Sequence, residues 1–151
     1  MKTALILLGI LFALVLAMGA GGYGYLAYEG NKCNASSKAY VDESIPAIVS
    51  NWSKDELVKR VSPELLQATA DDDLTTMFTK LSGLGPMQSY DGSTGEAKVH
   101  LTRTAKLQIT AAYVAQATFP KGKAIIKVRL MQVNGAWMIA SFAVGPAAPA
   151  K

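Results

Sequence analysis

AIIKVRLMQVNGAWMIASFAV, residues 124–144, decides the fold of this chain. Asn134-Gly135 separates two apolar-rich runs, and a two-residue type I′ turn needs positive φ at both central positions, which Asn and Gly tolerate best. The turn therefore fixes a hairpin and its register. With Val133 facing Ala136, Gln132 meets Trp137, Met131 meets Met138, Leu130 meets Ile139, Arg129 meets Ala140, Val128 meets Ser141 and Lys127 meets Phe142. The strand before it, near Lys106 to Phe119, closes a second hairpin through Pro120-Lys121-Gly122-Lys123. Phe119 facing Ala124 sets Ala117 against Ile126 and Ala115 against Val128.

The two hairpins agree on one inner face: Leu107, Ile109, Ala111, Tyr113, Ala115, Ala117, Phe119, Ala124, Ile126, Val128, Leu130, Trp137, Ile139 and Ala143. The opposite face carries Gln108, Thr110, Ala112, Val114, Gln116, Lys127, Arg129, Met131, Met138, Ala140, Phe142 and Val144, too apolar a set for a freely solvated surface. Two shorter strand pieces, Met87–Tyr90 and Glu96–Arg103, precede these, with Asp91 to Gly95 as a loop between them.

Upstream the period changes from two to between three and four. Tyr40, Val41, Ile45, Ile48, Val49 and Trp52 mark one face of an amphipathic helix, capped within Asn34 to Ser37 and kinked or split at Pro46. Ser53 with Glu56 three residues on is a capping box for a short helix ending near Arg60. Ser62-Pro63-Glu64 opens another with Pro at its first position. Asp71 to Asp73 start a helix bearing Leu74, Met77, Phe78 and Leu81, which Gly83-Leu84-Gly85-Pro86 ends. Helices first and a hairpinned antiparallel sheet second give an α+β domain.

The N-terminal 25 residues from Thr3 to Ala27 carry no charge. As a helix they extend roughly 37 Å, enough to cross a hydrocarbon core of about 30 Å. Tyr23, Tyr25 and Tyr28 form an interfacial belt, and Lys2 keeps the N-terminus cytoplasmic by the positive-inside rule. Residues 1–28 thus read as a transmembrane anchor, 29–35 as a linker, 36–144 as the domain and 145–151 as a flexible tail. A signal peptide cleaved after Ala17-Met18-Gly19, releasing a periplasmic or secreted protein, is the rival reading. Gly30-Asn31-Lys32 before Cys33 is no lipobox; the single thiol is expected to stay free, the alternative being a bridge between two copies near the membrane. Ala13, Ala17 and Gly21 share one helix face at spacing that permits close helix pairing.

The Ser53–Leu65 stretch SKDELVKRVSPEL, the Leu84-Gly85-Pro86 exit and the ending VRLMQVNGAWMIASFAV, 128–144, resemble the nuclear transport factor 2-like group of cystatin-like α+β rolls. The resemblance spans roughly Ala35 to Val144 and implies helices packed into a curved sheet. It leaves function open, because the group includes isomerases, cyclases, transport adaptors and secretion-system scaffolds. Its isomerases work with a buried carboxylate and a Tyr or acid donor. The inner face here has no Asp, Glu or His, only Tyr113, Trp137 and Ser141, which would line any small-molecule cavity. His100 points outward, and the three consecutive aspartates diverge around a helix start, so no catalytic residue, cofactor or metal ligand is assigned.

All 11 acids lie at or before Glu96, whereas Lys98, Arg103, Lys106, Lys121, Lys123, Lys127, Arg129 and Lys151 follow. The sheet is basic, but net +4 without aromatics interleaved with the cations as a stacking platform does not describe a nucleic-acid surface. The reading that results is a single-pass bacterial inner-membrane protein with a periplasmic domain. It contacts the bilayer through residues 3–27 and a second copy or an envelope protein through Val114, Lys127, Arg129, Met131, Met138, Ala140 and Phe142. The alternative is a small-molecule binder or isomerase-like enzyme using the space between sheet and helices.

Overall fold

Alternating burial along two strands places the core. In a computed structural model describing residues 31–147, Ala111, Tyr113, Ala115, Ala117 and Phe119 are buried while their neighbours point away. Ala124, Ile126, Val128 and Leu130 do the same on the next strand, the period expected of a sheet with one covered face. The segment 3–27, its tyrosine belt, its small-residue stripe and residues 148–151 lie outside the described residues.

Residues 31–49 form α1, followed by α2 (Lys54–Val58), α3 (Pro63–Ala68), α4 (Asp71–Ser82), β1 (Ser89–Leu101), β2 (Leu107–Phe119), β3 (Gly122–Val133) and β4 (Ala136–Pro146). The four strands form one antiparallel sheet in the order β1-β2-β3-β4. The domain is α+β. Asn134 and Gly135 have φ of 51° and 81°, and Val133 pairs with Ala136, so the type I′ hairpin forms as its two residues dictate.

Four local readings change. Residues 31–35, expected to be linker, are helical, and Cys33 is buried in the core. Asn34 is consequently no N-cap: its side-chain oxygen accepts from the Ala97 amide and its carbonyl accepts from Tyr113. Pro46 lies within α1 without splitting it. The Asp91–Gly95 loop is absent, because Gly92 at φ 90° takes up an irregularity between Tyr90 and Ser93 and β1 runs through as one strand. Gly145 and Pro146, assigned to the tail, belong to β4.

The hairpin registers also differ. Phe119 pairs with Gly122, not Ala124, so Pro120-Lys121 is a two-residue turn and Ala117 meets Ala124 while Ala115 meets Ile126. A slip of two leaves every side chain on its expected face. Between β3 and β4 the register follows the expected pairs through Leu130–Ile139, then shifts by one, giving Arg129–Ser141, Val128–Phe142 and Lys127–Ala143. Ala140 is the extra residue of a β-bulge, and a slip of one exchanges faces. Phe142 and Val144 therefore turn inward and pack against the core, and Ala143 turns out.

The α1 helix ends by the Schellman pattern, with the Ser53 amide reaching back to the Ile48 carbonyl at 2.8 Å. Its left-handed residue is Trp52, at φ 51°. A non-glycine residue there costs about 1–2 kcal/mol, offset by what its indole meets. The ring is buried, stacks on Phe119 with centroids 4.9 Å apart, and donates through Nε1 to the Gly85 carbonyl at 2.9 Å. Trp137 faces inward as expected but is only half-buried, its Nε1 donating to Ser36 Oγ at 3.0 Å.

The core tryptophan is therefore Trp52. Trp52→Ala should lose about 3–5 kcal/mol, the usual range for a buried large aromatic, and Trp137→Ala clearly less. Urea denaturation of the full chain in detergent checks the order, and equal losses, or a larger one at Trp137, would contradict it.

Candidate interaction face

Because α1 to α4 supply the apolar cover of one sheet face, the side chains of the other lie in cross-strand rows. Pairing aligns Thr94, Val114, Lys127 and Ala143 in one row; Glu96, Ala112, Arg129 and Ser141 in the next; and Lys98, Thr110, Met131 and Met138 in a third. No described helix or loop covers them. Val114 is 46% exposed, Lys127 and Arg129 are exposed, and Met131 and Met138 half shield one another. Bulged Ala140 helps floor a depression of about 500 Å³ whose walls include Glu96, Lys98, His100, Gln108, Arg129 and Met131.

Six of the seven expected interface residues thus share this face: Val114, Lys127, Arg129, Met131, Met138 and Ala140. Phe142 does not. It lines, with Ser141, an apolar cavity of about 140 Å³ walled by Leu57, Val61, Leu65, Leu74 and Met77. The cause is the Ala140 bulge, whose extra residue turns the remainder of β4 over. Glu96, Lys98 and His100 join the depression, although sequence reasoning gave them no role there. Their alternation with Ala97 and Val99 was the available signal, and the expected loop at Asp91–Gly95 hid β1 as a full strand.

The suggested ligand trio separates. Tyr113 is buried at 3% exposure, its hydroxyl 2.8 Å from Ser37 Oγ and 3.2 Å from the Asn34 carbonyl, a fully engaged core group. Trp137 tethers Ser36, and Ser141, expected inward, pairs with Arg129 in the outward row because of the bulge while still bordering the apolar cavity. Among the described residues no three His, Cys, Asp or Glu side chains converge on a point, and Asp71 pairs with Lys54 at 2.6 Å.

The densest polar cluster joins α1 to β1. Asp42 accepts from Lys38 Nζ at 2.7 Å, Tyr90 Oη at 2.8 Å and Ser93 Oγ at 2.6 Å, while Lys38 also donates to the Ser93 carbonyl at 2.9 Å. Partial burial opposes ionisation of Asp42, but the three donors and the lysine charge outweigh it, holding the carboxyl below its ordinary value. Burial first, then the Asp42 carboxylate, pushes the Tyr90 phenol up. The Lys38, Tyr90 and Ser93 donors all turn on acceptors within the cluster and tie α1 to β1, so this cluster is a latch on the edge strand β1.

The chain matches no family model, no curated protein and no solved structure.

A carboxyl depressed in the folded state contributes stability present above its unfolded value, about 3.9, and lost as pH falls through the lower folded value. Carbon-detected NMR titration should put the Asp42 midpoint below 3.9, with β1 amide protection fading through the same midpoint. Asp42→Asn should weaken that protection already at neutral pH. A midpoint at or above the peptide value would remove the latch.

Proposed function

We propose that this chain is a membrane-anchored, non-catalytic interaction module. In this reading residues 3–27 hold it in a bacterial inner membrane, residues beyond Tyr28 form a periplasmic domain of the cystatin-like, nuclear transport factor 2-like group, and the outward sheet face docks a second copy or an envelope protein. One observation carries the proposal. An entire four-strand face has no described cover, yet presents Val114, Met131 and Met138 beside exposed cations, the mixture of apolar centre, Met, Arg and polar rim that suits a protein interface.

The inward side supports the non-catalytic half. Its buried polar side chains are Ser37, Ser44, Ser62 and Ser93, together with the engaged Tyr113 hydroxyl, and no buried carboxylate or imidazole stands ready for proton transfer among the described residues. The helical arrangement followed by a long, bulged meander supports the group assignment. None of the described helices is long and apolar enough to cross a membrane; the bilayer contact of this reading rests on the uncharged length of residues 3–27.

The cavity beside Phe142 favours a second reading, a binder of a small apolar molecule. An engineered cavity of about 150 Å³ accepts benzene, and 140 Å³ walled by leucines is of that size.

A photoreactive phenylalanine analogue placed at Val114, Met138 or exposed Leu66 decides between the faces. Crosslinking in the native membrane should give one discrete adduct from positions 114 and 138 and none from 66. Met138→Glu should reduce the adduct formed from 114 about tenfold, the equivalent of some 1.4 kcal/mol for an unpaired charge. Absence of adducts from both outward positions would overturn the docking role. Retention of the chain in the pellet after alkaline extraction checks the anchor, and its release would support cleavage.

A further inference from the structure

The outward face is not only open but of one sign along its middle. Lys123, Lys127 and Arg129 stand on that side of β3, exposed and without an ion pair among the described residues. No acid occurs after Glu96, and Glu96 itself is held by Lys98 at 2.9 Å. Three of the four residues flanking Lys127 and Arg129 on β2 and β4 are small, Ala112 and Ser141 beside Arg129 and Ala143 beside Lys127, and the fourth, Val114 beside Lys127, is apolar. The two cations therefore rise from a low floor, where the backbone of a visitor can come close.

Spacing defines the visitor further. Residues two apart on a strand are roughly 6.7 Å apart and point the same way. Lys127 and Arg129 have this relation. An extended segment has the same repeat, so carboxylates at alternate positions of such a segment meet both cations at once, Arg129 being able to take its partner in a bidentate pair.

From these rows we infer that the β3 cations bind an extended acidic segment of a partner protein, with Asp or Glu at alternate positions. The inference rests on the proposed docking role of this face. Exposed charges favour encounter and register more than raw affinity, so the binding is salt-sensitive and reversible. A second copy is a poorer source, since its own outward face is equally cationic. An anionic lipid surface would satisfy the charge but not the spacing.

The test uses the full chain in nanodiscs of zwitterionic lipid and two labelled peptides of one composition, one alternating Glu and Ser, the other with its Glu residues in a block. Fluorescence anisotropy should show saturable binding of the alternating peptide, several-fold tighter than the block peptide and weakened by salt. The double charge reversal K127E/R129E should lose that binding at least tenfold and gain binding of the alternating Lys-Ser peptide, a rescue that misfolding cannot produce. Equal affinity for the two Glu peptides would overturn the spacing. Loss of peptide binding in nanodiscs containing phosphatidylglycerol would identify lipid as the occupant and overturn the inference. If no peptide binds while the adducts from Val114 persist, the acidic partner is wrong and the docking face stands; if the adducts fail too, both fall.

Discussion

One extra residue in β4 determines which side chains belong to the core and which to the surface. Up to Ile139 the strand follows its hairpin, and beyond the Ala140 bulge each residue has changed sides. Phe142 and Val144 join the packed face, Ala143 joins the open one, and the row that would have placed an aromatic ring beside Lys127 holds a methyl group instead. The bulge is supported from outside the sheet. Ile139 donates to the Arg60 carbonyl at 2.7 Å and accepts from the Ser62 amide at 2.8 Å, so the segment linking α2 to α3 occupies the β4 edge just before the irregularity. Edge backbone that would otherwise template another chain is used up there.

The other edge is managed by α1. Asn34 takes the Ala97 amide and Lys38 takes the Ser93 carbonyl, each a β1 group that faces away from β2. These ties, together with Tyr113 to Ser37 and Trp137 to Ser36, show α1 crossing the inner face from β1 to β4. Alanines at 111, 115, 117 and 124 keep that face low, so the Val41, Ile45, Ile48 and Val49 side of the helix is buried. The apolar cavity of about 140 Å³ lies beside α3, none of whose residues is fully buried.

How much of this was legible follows from what kind of signal each feature carries. The class, the Asn134-Gly135 turn, the caps at Ser53 and Ser62 and the start of α4 are encoded locally, by φ preferences and side-chain acceptors, and were readable from the sequence. The inner face of β2 and β3 was readable because a register error of two preserves sides. The Ala140 bulge was not, since SFAV continues an acceptable alternation in either phase and the choice is made by Phe142 filling space against α2 and α4. Trp137 looked like the core tryptophan because of its strand position. Trp52 has the spacing of one more helix-face residue, while its left-handed backbone and its bond to Gly85 depend on a distant partner. Six of the seven residues expected at an interface lie on the outward face that alternation gives them, and the seventh, Phe142, turns inward with the bulge.

A cationic sheet face without cover among the described residues, its composition dependent on the bulge, is the surface proposed for docking. Replacing Met138, Phe142 and Ala143 singly with Cys and timing their reaction with an impermeant maleimide tests it directly, the native Cys33 being buried. Fast modification is expected at 138 and 143 and slow modification at 142 in the purified chain, with 138 and 143 protected in native membranes. Fast reaction at 142 with slow reaction at 143, or equal rates at 138 in both settings, would contradict it.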